Sequence, residues 1–204
     1  MTDHFDLLGV PRRPWIDPEQ LKARFHQVSN AVHPDRVHGS DDSEKERATS
    51  LYATFNQAYT LLKEPKDRLL HLLELEIGGK PGDIQRIPPG TMDLFVEVGQ
   101  LCRDTDVFLV EKNNATSPML KVKLFAQGMD WTEKLQELQF KLNQKRDELS
   151  AELVAMNSIW ESAVSDTDRK KLLPLERLEQ IYRTFSYVAR WTGQIQERIV
   201  QLAF

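Results

Sequence analysis

Cysteine is nearly absent. Cys102 stands alone in 204 residues, which excludes an internal disulfide framework and any cysteine-rich zinc module. Long apolar runs are missing too. The densest stretch, Leu69 to Ile77, is interrupted by His71, Glu74 and Glu76 and falls well short of the roughly 18 residues a membrane span needs. Neither sign of charge dominates: 27 Lys and Arg against 31 Asp and Glu leave −4, which argues against a general nucleic-acid binder with a basic surface. Asp3 and Asp6 come soon after the first residue, so neither a signal peptide nor an Arg-rich transit peptide is expected, and a cytoplasmic, membrane-free setting is. No phosphate-cradling glycine loop, nucleophile–base arrangement or pair of catalytic carboxylates stands out. The expectation is a protein that is not an enzyme and carries no cofactor.

What is present is ordinary in bulk and uneven in distribution. A hydrophobic content of 40% with 28% charged residues fits a folded chain, and the length suits two small domains. All five histidines, His4, His26, His33, His38 and His71, lie in the first 71 residues. Seven of the 19 Gly and Pro fall between Gly78 and Gly90, a stretch that cannot continue a helix. It divides an N-terminal unit, 1–77, from a C-terminal unit, 91–204, with 78–90 as a linker.

Helical spacing dominates both units. Asp17-Pro18 is a strong start signal, with Asp as N-cap and Pro in the first helical position. Leu21, Phe25, Val28 and Val32 then mark one face. The helix ends at Val32-His33-Pro34, because a residue that precedes proline is pushed out of the helical region. A polar loop leads to a second helix, Ser43 to Lys63, with Ala48, Tyr52, Phe55, Tyr59 and Leu62 in phase. Short helices at Asp3–Gly9 and Lys66–Leu75 flank this hairpin. Beyond the linker, apolar periodicity runs over Thr91–Lys112, Trp131–Ser162 and Pro174–Phe204, with Gly128 expected to interrupt a shorter segment before Trp131. The pattern predicts an all-α chain: a helical hairpin with two short flanking helices, then an antiparallel three-helix bundle.

The chemically unusual feature is His33-Pro34-Asp35, placed after the first hairpin helix. As a metal site, His33, Asp35 and His38 lack a further ligand at fixed spacing. Together with Phe5-Asp6-Leu7-Leu8-Gly9-Val10, Leu21-Lys22-Ala23-Arg24-Phe25, His33-Pro34-Asp35-Arg36 and Asn56-Gln57-Ala58-Tyr59, the tripeptide resembles the J-domain of the DnaJ family. That resemblance implies docking onto a DnaK-type chaperone and stimulation of its ATPase. It assigns Asp35 to an arginine of the chaperone, His33 to ordering the loop and Pro34 to fixing its shape. Lys22, Arg24, His26 and Arg36 would form a positive face toward an acidic partner surface. Gln27, Ser29 and Asn30 are neutral where J-domains usually carry more basic residues, which suggests a dedicated partner.

The Gly/Phe-rich linker and paired Cys-x-x-Cys modules of the DnaJ type are absent. A J-domain, a short linker and a helical bundle totalling about 200 residues resemble the HscB (Jac) family of iron–sulfur co-chaperones. The resemblance implies a DnaK/HscA-type ATPase as one partner and an iron–sulfur cluster scaffold protein as the other. It also implies a client face on the first bundle helix with an aromatic from the last. The nearest positions are Leu94, Phe95 and Val98, with Phe185 or Tyr187, while Gly99 and Cys102 stand where acidic residues are expected. Two alternatives stay open: a specialised J-protein with an unrelated client, or a helical adaptor with a degenerate J-fold.

Overall fold

Each early helix is set by its end residues. In the computed structural model, which describes residues 2–33, 41–82 and 87–203, the Asp3 carboxylate accepts from the backbone N–H groups of Phe5 and Asp6 and opens α1 (His4–Leu8). Gly9 closes it at φ 61°, a left-handed conformation that glycine adopts without strain. Asp17 caps α2 (Pro18–Ala31) through the Gln20 N–H, and Asp41 caps α3 (Asp42–Lys63) through Glu44. Glu64-Pro65 starts α4 (Pro65–Ile77), which Gly78 ends at φ 77°. Helices α2 and α3 run antiparallel: Phe25 stacks on Tyr59 near one end and His33 meets Tyr52 near the other. Phe5, Leu8, Leu21, Leu62, Leu69, Leu72 and Leu73 are fully buried where these four helices meet. Truncating any one of these leucines to alanine is expected to cost about 2–5 kcal/mol.

The remaining helices are α5 (Met92–Asn113), α6 (Pro118–Ser162), α7 (Asp166–Leu172) and α8 (Leu175–Ala203); no strand occurs among the described residues. The 45 residues of α6 run without a break through Gly128, contrary to the interruption that the sequence suggests there. A glycine inside a helix costs only about 1 kcal/mol, and Phe108 packs against the bare backbone there, 3.8 Å from where a Cβ would sit. A core of Val98, Phe108 and Leu109 from α5, Leu124, Leu135, Leu138 and Leu142 from α6, and Val188, Trp191 and Ile195 from α8 makes the three-helix bundle.

Two compact units result: Met1–Gly82 with Ala151–Tyr182, and Asp83–Ser150 with Arg183–Phe204. This partition differs in one respect from a division at the Gly/Pro-rich 78–90 stretch, because residues 151–182 pack with the N-terminal helices. Three polar links within the first unit account for that. The Asn157 side chain bonds both the N–H and the C=O of Trp15, Arg13 pairs with Glu161 at 3.0 Å, and Arg169 grips Glu76 with two nitrogens. The Arg169–Glu76 pair is mostly withdrawn from water, so its charge-assisted bonds are among the strong ones.

Candidate functional site

The residues assigned to chaperone docking do not share one environment. Lys22 and His26 are exposed and four residues apart on α2, hence side by side on one face. Arg24 is rotated away from them. Its Nε donates to the Leu8 carbonyl at 2.8 Å and its Nη1 to Gln27 Oε1 at 2.7 Å. Its Nη2 lies 2.5 Å from where a Cβ on Gly9 would be, so a side chain at position 9 would collide with the guanidinium. Arg24 thus straps α2 to the end of α1. His33 is half-buried with its ring edge-on to Tyr52, centroids 5.2 Å apart. Pro34, Asp35 and Arg36 lie outside the described residues, as does His38.

Behind this face, two buried side chains fix the N-terminal segment. Arg68 donates from Nε to the Pro14 carbonyl and from Nη1 to the Leu62 carbonyl, and burial lowers its pKa to about 10. His71 accepts the His4 backbone N–H on Nε2 at 3.1 Å and stacks on Phe5. Burial holds both His4 and His71 below the ordinary imidazole value, and the nearby Asp3 carboxylate offsets this only in part. Sequence reasoning misses these anchors, because Arg68 and His71 read there as members of a short amphipathic helix. A buried arginine or histidine in an apolar run is the signal that could flag them.

The client positions also separate. Phe95 is 42% exposed and leans toward Trp191, and Leu94 is half-buried. Val98 and Phe185 are only 1% and 5% exposed; packing consumes them, so neither offers surface to a partner. Tyr187 is half-buried beside Trp191. Cys102 is buried, its backbone carbonyl accepts from Arg198, and burial pushes its thiol pKa up, which suits a packed small residue. Sequence reasoning passes over Met92, Val96 and Val110 and counts Val107 in the apolar periodicity of the helix; all four are exposed on the outer side of α5. Among the described residues no group of His, Cys, Asp or Glu is placed to hold a metal ion, and no helix is long and apolar enough to cross a membrane.

A capped helical hairpin with flanking short helices carries His33 at the exit of α2, the arrangement expected of a J-domain. Residues 3–71 match the DnaJ domain family. Within that class the chain resembles the HscB co-chaperones. It is 43% identical over 74 residues to "Co-chaperone protein HscB" of Proteus mirabilis, an alignment that covers 36% of this chain and 43% of that protein. The matched part therefore spans less than half of that relative. A "Co-chaperone protein HscB homolog" of Burkholderia thailandensis is 27% identical over 168 residues, covering 78% of each chain. The fold is that of "Chaperone HscB from Vibrio cholerae", with a TM-score of 0.57 at 20% identity over 98% of this chain and 99% of that one. Human co-chaperone HscB gives a TM-score of 0.59 at 19% identity, covering 98% and 81%.

Proposed function

We propose that this chain is a co-chaperone without enzymatic activity of its own. Its J-domain stimulates ATP hydrolysis by a DnaK/HscA-type chaperone, and its C-terminal helices deliver an iron–sulfur cluster scaffold protein to that chaperone. The observation that carries this reading is a J-domain at residues 3–71, with His33-Pro34-Asp35 leaving α2, in a chain whose whole fold matches HscB.

The division of labour rests on elementary chemistry. A single carboxylate such as Asp35 catalyses nothing alone. Next to a proline, whose ring restricts the backbone, it can form a bidentate pair with an arginine when docking removes the water between them. His33 is braced on Tyr52 at the exit of α2. Lys22 and His26 offer adjacent donors for an acidic surface, and Arg36 adds a positive charge next to Asp35 in the sequence. Such exposed charges set encounter rate and register more than final affinity. Arg24 adds its charge while holding α1 and α2 together.

Asp35→Ala decides the matter. Its addition to a DnaK-type chaperone is expected to give no rise in steady-state ATP turnover, while binding of the scaffold protein persists. Stimulation equal to that of the unaltered chain would remove the J-domain reading. Stimulation with no scaffold binding by the unaltered chain would leave a J-protein with a different client.

A further inference from the structure

A cleft of about 300 Å³ opens between the start of α2, the end of α3 and the start of α4. Three cations line it: Lys22 from α2, Lys63 from α3 and Arg68 from α4. Leu21 and Tyr59 form part of its wall, and Glu19 is the one carboxylate among the lining residues. Leu21 is 1% exposed, and the Tyr59 ring is stacked on Phe25 with centroids 4.4 Å apart, so this wall is fixed. Both lysines are exposed, and neither forms an ion pair or hydrogen bond among the described residues.

Arg68 is the unusual member. Only 4% of it is exposed, yet no carboxylate pairs with it among the described residues. Its Nε and Nη1 donate to the Pro14 and Leu62 carbonyls at 3.0 and 2.7 Å, and these two bonds fix the plane of the guanidinium. Nη2 makes no hydrogen bond among the described residues and keeps some contact with solvent. A buried cation held only by neutral acceptors is costly to the fold. Burial lowers its pKa to about 10, and Glu64, which forms no ion pair with it, offsets this only in part.

We propose that this cleft binds a phosphate-class oxyanion, with Nη2 of Arg68 at its floor and Lys22 and Lys63 at its rim. A planar carboxylate offers two oxygens, whereas a tetrahedral phosphate offers several directions at once. The guanidinium, two ammonium groups and the Tyr59 hydroxyl come from three helices and border one space, which suits the second shape. Three positive charges against Glu19 leave the lining positive. The guanidinium is already held in place, so little side-chain freedom is lost there on binding.

The test is ¹⁵N NMR of the full chain titrated with inorganic phosphate at fixed ionic strength. Phosphate is expected to shift the Arg68 Nε–H and the Lys22 and Lys63 amides saturably, with a Kd on the order of 1 mM. Acetate at the same ionic strength is expected to give no saturable shift. Arg68 also ties down Pro14, so the exposed Lys63 is the residue to change: Lys63→Gln weakens phosphate about fivefold. Lys66→Gln, on an exposed lysine outside the cleft, leaves the Kd unchanged. ADP tested beside phosphate separates the sources, since saturation by ADP as well supports a nucleotide phosphate and saturation by phosphate alone supports the free ion. The proposal is overturned if the Arg68 signal stays still up to about 50 mM phosphate. It is equally overturned if acetate reaches the same plateau, or if Lys66→Gln weakens binding as much as Lys63→Gln.

Discussion

Asn157 treats the backbone of Trp15 as a neighbouring strand would: its Oδ1 accepts the Trp15 N–H at 3.1 Å and its Nδ2 donates to the Trp15 C=O at 2.9 Å. The two residues are 142 positions apart, and both bonds are partly buried. The loop between α1 and α2 is thereby tied to the late part of α6 by a pairing that no other side chain of similar size can reproduce. Aspartate keeps one acceptor and loses the donor; alanine loses both.

Asn157→Ala is accordingly expected to destabilise the protein by about 2 kcal/mol, with Asn157→Asp falling between it and the unaltered chain. Urea unfolding monitored by circular dichroism measures this. A midpoint unmoved by Asn157→Ala would mean that the Arg13–Glu161 and Arg169–Glu76 pairs hold residues 151–182 in place without it.

The separation of Arg24 from Lys22 and His26 predicts two kinds of mutant. Lys22→Glu changes only an exposed charge, so thermal stability stays put while the concentration needed for half-maximal ATPase stimulation rises several-fold. Arg24→Ala removes the bond to the Leu8 carbonyl and is expected to cost about 1 kcal/mol of stability as well. A melting temperature unchanged by Arg24→Ala, with stimulation weakened as in Lys22→Glu, would place Arg24 back on the docking face.

The contrast shows what a sequence can and cannot convey. Asp3, Gly9, Asp17-Pro18 and Gly78 act on backbone a few residues away, so the helix ends they set are legible. Periodicity alone is enough for the all-α class. Arg24 looks like Lys22 because helical spacing says nothing about which neighbour will cover a given side. Helix α5 is the sharper case. It carries apolar residues both inward, at Val98 and Leu109, and outward, at Val96 and Val107, and spacing alone cannot label the two rows. Val98 and Phe185 stand at client positions by resemblance and fit the bundle core by spacing, and burial assigns them to the core, while most of the exposed row escapes notice. Gly128 fails as a breaker because one glycine costs a 45-residue helix only about 1 kcal/mol.

The His4–His71 contact makes stability depend on pH. His71 Nε2 is an acceptor for the His4 N–H, so that nitrogen cannot carry a proton without losing the bond. Burial and the facing His4 and Arg12 oppose a charge on His71, with Asp3 alone favouring it, and burial lowers His4 likewise. Both folded-state values lie below the ordinary 6.5, so between 6.5 and those lower values the unfolded chain binds more protons than the folded one. Stability is then complete above 6.5 and declines as the pH falls beneath it. Unfolding free energy from urea titrations is expected to drop from about pH 7.5 to about pH 5.5. In His71→Gln, which keeps an acceptor near the same place but cannot titrate, the slope over that range flattens. An equal slope in His71→Gln would assign the pH dependence to groups elsewhere in the chain.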